Sequence, residues 1–200
     1  MNLPTKLTVS RILMTVILVL ILIFPVHLIN FAWPVYMISG FSNYVLVDAR
    51  YLIAAGLFLI AAFTDYLDGY LAKRNNQVTD TGKMLDAIAD KVLVNSVLII
   101  LASQGFITAF IPVIIIARDT IVDVIKMIAG NKGEVVGASN LGRYKTAFLM
   151  TGIFLILIYN LPFELMGLNI ATFVLMIGTI LSIVSGVEYY LNHKKQLVSK

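Results

Sequence analysis

Apolar runs of bilayer length recur along this chain, and they limit what it can become. A helix crossing the hydrocarbon core needs roughly 20 mainly apolar residues, and in lipid its backbone must satisfy its own hydrogen bonds. Such runs fall at about 7–29, 51–73, 82–103, 106–129, 143–160 and 169–191. They predict an all-α polytopic membrane protein, with six transmembrane helices in one bundle and residues 1–200 as a single integral-membrane domain. Only 13% of residues are charged and the mean hydropathy is +0.93. A soluble domain carries about 25% charge, so an ordinary soluble enzyme is excluded.

Six spans put both termini on one side of the membrane. All but Arg50 of the 15 basic residues fall toward that side, which the positive-inside rule assigns to the cytoplasm. The formal charge of +4 therefore reads as loops facing anionic lipid, and no nucleic-acid partner is expected. Lys6 and Arg11 precede an apolar stretch, as in a signal peptide. Pro25, Val26 and His27 follow it in place of a small-residue cleavage site, so it is read as a retained first helix. The loop after it holds Trp33, Pro34, Tyr36 and Tyr44, which suits an interfacial aromatic belt. There is no cysteine, so disulfides are excluded.

Four aspartates interrupt this pattern. Asp65 and Asp68 stand three apart near the cytoplasmic end of the second run, and Asp86 and Asp90 four apart at the start of the third. At those spacings each pair shares a helix face, and the short link between the runs makes the two helices antiparallel neighbours. Carboxylates converging in a poorly hydrated place either protonate or bind cations. Oxygen donors suit hard divalent ions, Mg²⁺ or Mn²⁺. Two such ions suit phosphoryl or phosphatidyl transfer. A purely structural alternative pairs the aspartates with Lys83, Lys91, Arg74 or Arg118. Ionisable groups within a membrane are functional by default, and two pairs at helical spacing favour a site. Gly69, Ala72 and Gly82 flank the aspartates. They leave room either for a ligand to approach the backbone or for helices to pack closely.

The order Asp65-x-x-Asp68-Gly69-x-x-Ala72, then Gly82-x-x-x-Asp86-x-x-x-Asp90, resembles the signature of the CDP-alcohol phosphotransferase family. That signature reads D-x-x-D-G-x-x-A-R, then G-x-x-x-D-x-x-x-D. Lys73 stands where the family has arginine, which keeps the charge and loses bidentate phosphate contact. The resemblance implies a CDP-linked lipid donor whose pyrophosphate lies on two divalent cations, Mg²⁺ or Mn²⁺. An acceptor hydroxyl attacks the lipid-bearing phosphate and CMP leaves. It implies Asp65, Asp68 and Asp86 as metal ligands, and Asp90 as the base and a further ligand. Gly69, Ala72, Lys73 and Gly82 then belong to the CDP-lipid site. A homodimer is implied as well, which the residues themselves only permit.

The acceptor is read from a second set of residues. Arg118 interrupts the apolar fourth run, and Arg143 and Lys145 open the fifth. Three cations near one leaflet suit a phosphate pocket. The alternative pairs Arg118 with Asp119 or Asp123 and leaves Arg143 and Lys145 as ordinary positive-inside residues. A phosphate pocket favours glycerol 3-phosphate or inositol phosphate over serine or a neutral alcohol. Two stretches, Asn2-Leu-Pro4-Thr5-Lys-Leu7-Thr8-Val-Ser-Arg11 and Asp86-Ala-Ile-Ala-Asp90-Lys91-Val, resemble the branch of the family that makes phosphatidylglycerophosphate. That likeness implies CDP-diacylglycerol and sn-glycerol 3-phosphate as substrates in phospholipid biosynthesis. The active site would face the cytoplasm from the cell membrane. It also implies that Thr5 and Thr8 line the nucleotide site, although capping of the first helix explains them equally.

Inositol phosphate, serine and phosphatidylglycerol stay open as acceptors. A rival of another class is a cation-coupled carrier, because intramembrane carboxylates also mark ion pathways. Carriers often show inverted repeats with helices broken near the midplane. Here no repeat is visible and the carboxylates lie near one face. The glycine-rich stretch 130–137 follows a helix, not a strand, so it is no nucleotide-binding loop. It is read as a cytoplasmic loop or lid.

Overall fold

The computed structural model describes residues 3–25, 32–40, 43–74, 80–131, 137 and 139–198. These residues are mostly helical: α1 (Leu3–Ile23), α2 (Ala49–Arg74), α3 (Asp80–Ser103), α4 (Phe110–Asn131), α5 (Asn140–Leu157) and α6 (Ile170–Val198). An antiparallel hairpin, β1 (Val35–Ser39) with β2 (Tyr44–Asp48), precedes α2, and a 3₁₀ turn at Phe163–Met166 precedes α6.

Each expected run has its helix, with ends shifted for local reasons. Helix α1 ends at Ile23, short of the expected 29, and Pro25 follows, which cannot donate to a continuing helix. Gly105, at φ +80°, closes α3 in a left-handed conformation that glycine adopts freely. Phe106 lies outside α4 because its ring packs against Tyr51 and Tyr159, at 4.9 and 5.7 Å between centroids. Helix α5 starts at Asn140, earlier than expected, because the Ser139 hydroxyl accepts from the Gly142 amide at 3.1 Å. It stops at Leu157 because Tyr159 and Asn160 turn left-handed. The Asn160 amide then ties the turn together, donating to Leu168 O at 2.6 Å and accepting from Ala171 N at 2.9 Å.

The hairpin departs from the expected loop. Val45 and Val47 alternate inward along β2, which gives the strand an apolar face to bury. Its far end is tied to the helices, since the Asp48 amide donates to the Tyr159 hydroxyl at 3.2 Å.

Helix α1 packs on α2 and α3, while α6 packs on α5 and α4. The shared core includes Leu18, Phe58, Leu93, Leu98, Ile115 and Leu149. Small residues bring α5 and α6 close: a Cβ on Gly152 would lie 3.0 Å from the Leu175 backbone.

At the hairpin end, Arg50 and the Gln104 amide both donate to Leu22 O, at 3.4 and 3.1 Å. They satisfy a terminal carbonyl of α1 that has no partner within its helix. The end of α1, the start of α2 and the end of α3 therefore meet there. The aspartates lie toward the opposite ends of α2 and α3.

Large apolar side chains face outward on α1 (Leu13, Leu20), α2 (Ile60, Phe63), α3 (Ile99), α4 (Val113) and α6 (Phe173, Ile180). The buried set includes Thr8, Arg11, Thr15, Lys145, Ser182 and Ser185. Large apolar side chains facing outward while ionisable and hydroxyl side chains are buried among the apolar core is what lipid surroundings produce, so the chain is membrane-associated. Among the described residues, Ile170–Lys194 is the one helix that meets the length and apolarity of a span, and Thr8–Ile23 is a shorter apolar helix. Charged groups in α2, α3 and α4, including Asp65, Asp90 and Arg118, interrupt the apolarity of those helices.

Candidate active site

Helix α1 presents Thr8, Arg11, Thr15, Leu18 and Leu22 to the interior. This three-and-four spacing keeps them on one face. Thr15 satisfies its hydroxyl on Arg11 O at 2.9 Å. Arg11 itself is fully buried and reaches across to α2 and α3. Its Nη1 lies 2.6 Å from Asp65 Oδ1, 2.9 Å from Asp86 Oδ1 and 3.2 Å from Asp90 Oδ1.

Three of the four expected carboxylates thus converge from two helices, as their spacing predicts. One guanidinium nitrogen has two hydrogens for three carboxylates, so charge holds the cluster as much as directed bonds do. The side chains of Thr5, Asp68, Ala72 and Lys73, together with Gly69, lie outside the described residues beyond their place in α1 and α2. Gly82 lies in the first turn of α3, one turn before Asp86. Thr8 is buried in the second turn of α1, a helix that already includes Leu3, so it does not cap the helix.

The donor set is of the chemical type that divalent cations prefer. Its atoms are carboxylate oxygens, which hard ions prefer, and the convergence of three of them on one cationic nitrogen marks where positive charge is stabilised. Among the described residues no three acidic or imidazole side chains form a ready-made metal cage. The guanidinium stands at the point the carboxylates share.

The second set comes together on α4, α5 and α6. Arg118 donates from Nε to Ser182 O at 3.1 Å, from Nη2 to Ser185 Oγ at 2.7 Å and from Nη1 to Asp119 Oδ1 at 2.9 Å. Gly186 makes room for it, since a Cβ there would lie 2.9 Å from Arg118 Cγ. The Tyr189 ring lies 5.7 Å from the guanidinium carbon, within cation–π range. Lys145 reaches the same Asp119 oxygen at 2.6 Å. Lys91 pairs with Asp123. Arg143 is exposed and stands outside this group.

A cavity of about 380 Å³ is lined by Asp90 of the first set and by Arg118, Asp119 and Lys145 of the second. That volume falls within the range of small-molecule sites.

Four features escaped the sequence reading. Arg11 reads in sequence only as a charge for orientation and family likeness. Asp119 reads only as a partner that neutralises Arg118. Ser182, Ser185, Gly186 and Tyr189 carry no motif. Their spacing along α6 was the available signal: small and polar residues at three-and-four intervals on an apolar helix. The hydrogen-bonded anchoring of Ser139 and Gly137 to the Tyr189 hydroxyl, at 2.8 and 2.7 Å, has no such signal.

The CDP-alcohol phosphatidyltransferase family pattern matches residues 1–184. The chain belongs to that family and is a transferase. It is 36% identical over 189 residues to the CDP-diacylglycerol–glycerol-3-phosphate 3-phosphatidyltransferase of Bacillus subtilis (strain 168), covering 94% of this chain and 93% of that one. The protein of the same name from Rickettsia bellii (strain RML369-C) is 31% identical over 195 residues, 97% of this chain and 96% of its own. That of Mycoplasma genitalium (strain ATCC 33530 / DSM 19775 / NCTC 10195 / G37) is 44% identical over 102 residues, 51% of this chain and 43% of its own. The family generally uses divalent metal ions.

Proposed function

We propose that the chain transfers the phosphatidyl group of CDP-diacylglycerol to sn-glycerol 3-phosphate, giving phosphatidylglycerophosphate and CMP. The cavity that runs from Asp90 to Arg118 and Lys145 carries this reading. It offers a carboxylate beside a place for a hydroxyl, and two cations for a phosphate on the same acceptor. The names of the relatives support the same substrates.

Asp65, Asp68, Asp86 and Asp90 would hold the metal, as two Mg²⁺ or Mn²⁺ ions. Bound there, the ions would supply charge to the donor pyrophosphate and to the departing CMP. Asp90 accepts the proton of the acceptor hydroxyl. Arg118, held on α6 through Nε and Nη2, presents Nη1 to the acceptor phosphate, and Lys145 adds a point charge. Arg143, exposed at the start of α5, draws the anion toward the pocket. Gly69, Ala72, Lys73, Gly82, Thr5 and Thr8 form the CDP side. The lipid tails lie along the apolar outer faces of the helices.

All six helices would span the cell membrane, with both termini and the site on the cytoplasmic side. The outward apolar side chains and the basic residues gathered toward one side support this arrangement. The chain would work as one domain and as a homodimer.

The test is an acceptor screen. Purified protein with CDP-diacylglycerol and Mg²⁺ is given glycerol 3-phosphate, inositol phosphate, serine or phosphatidylglycerol, and CMP release is followed. Release with glycerol 3-phosphate well above the others is the expected result. A preference for serine or another unphosphorylated acceptor would remove the phosphate pocket from the account.

A further inference from the structure

We propose that Asp119 is the counter-ion that sets the phosphate affinity of the acceptor pocket, occupying with one oxygen the position between Arg118 and Lys145 that an acceptor phosphate oxygen takes. The inference rests on the acceptor reading above and deepens it.

Asp119 Oδ1 accepts from Arg118 Nη1 at 2.9 Å and from Lys145 Nζ at 2.6 Å. One oxygen bridging two cations from two helices is what a bound phosphate would also provide. All three side chains are largely buried, at 12%, 8% and 13% exposure, so their charges are weakly screened. The guanidinium cannot follow Asp119, because Ser182 O and Ser185 Oγ hold its other nitrogens. The phosphate must therefore compete with the carboxylate or share the cations with it.

The chemistry of transfer gives this competition a use. The new bond joins the acceptor hydroxyl oxygen to the lipid-bearing phosphorus. The bond that breaks joins that phosphorus to CMP, and the hydroxyl proton goes to Asp90. The acceptor's own phosphate is unchanged and leaves with the product. A pocket of bare cations would hold substrate and product alike and slow release. Asp119 weakens both, and it gives the cations a partner when the product departs.

The test uses purified full-length protein and three variants. Asp119→Asn and Asp119→Ser remove the charge, and Asp119→Glu keeps it. Binding of inorganic phosphate is measured by calorimetry, alongside KM for glycerol 3-phosphate and for CDP-diacylglycerol. Both neutral variants should bind phosphate about tenfold more tightly, equivalent to ~1.4 kcal/mol. Their KM for glycerol 3-phosphate should fall in parallel, with a lower kcat and an unchanged KM for CDP-diacylglycerol. Asp119→Glu should return phosphate affinity toward the wild-type value. Unchanged or weaker phosphate binding in a neutral variant that keeps its thermal midpoint would overturn the proposal, as would an equal change in both KM values. Calorimetry needs no turnover. A wild-type protein that binds phosphate but ignores glycerol 3-phosphate would therefore contradict the acceptor assignment and leave Asp119 open to the same measurement.

Discussion

Asp90 stands where the two halves of the site meet. It touches Arg11 on the carboxylate side and lines the cavity that reaches Arg118. As the proposed base it should be the least replaceable of the four aspartates. Asp90→Asn should lower kcat about 10²–10⁴-fold with the circular dichroism spectrum unchanged, and near-normal CMP release would remove it from that role. Arg118→Ala should raise KM for a phosphorylated acceptor roughly 10–100-fold, the weight of a charged hydrogen bond of about 1.5–3 kcal/mol. An unchanged KM would place the phosphate elsewhere. Arg11→Met tests the buried cation: three carboxylates would lose their shared partner, which is strongly destabilising. Its thermal midpoint should fall in EDTA and recover on adding Mg²⁺, and a midpoint indifferent to both would contradict the cluster. The aspartates were legible in sequence because three and four are helix spacings. Arg11 was not, because it lies 54 residues before Asp65 and its reach across the α1 interface has no periodic trace.

The helices were legible as elements because apolar length and composition carry them. Their ends were less so, because tertiary contacts decide them. Phe106 leaves α4 for an aromatic cluster with Tyr51 and Tyr159, and partners that distant leave no mark in local sequence. The hairpin was obscured in a different way. Its aromatic and β-branched residues read equally as an interfacial belt, and only its pairing, Val35 with Asp48 through Ser39 with Tyr44, distinguishes the two. The α5–α6 interface gives the prediction at this scale. Gly152→Ala would press a methyl group against the Leu175 backbone, and overpacking of this kind costs about 1–3 kcal/mol. The thermal midpoint should fall, whereas Gly130→Ala, with nothing within 4 Å of the added carbon, should leave it nearly unchanged. Equal effects would mean that α5 and α6 do not pack this closely.

At the scale of the molecule, the hairpin contacts gather at one end and the carboxylates at the other, with apolar side chains outward between them. That polarity was visible in sequence as the distribution of basic residues. The meeting of Asp90 with the Arg118–Lys145 pair in one cavity was not, because it depends on how α3, α4, α5 and α6 assemble. Thorough chelation should stop CMP release and Mg²⁺ or Mn²⁺ should restore it; activity that survives chelation would contradict the metal reading. The most direct measurement follows labelled glycerol 3-phosphate added outside sealed vesicles that contain the protein and CDP-diacylglycerol. Label should appear in the lipid phase as phosphatidylglycerophosphate, with one CMP released for each label incorporated. Label recovered as intact glycerol 3-phosphate in the vesicle lumen, with no CMP, would contradict this transfer and indicate a carrier.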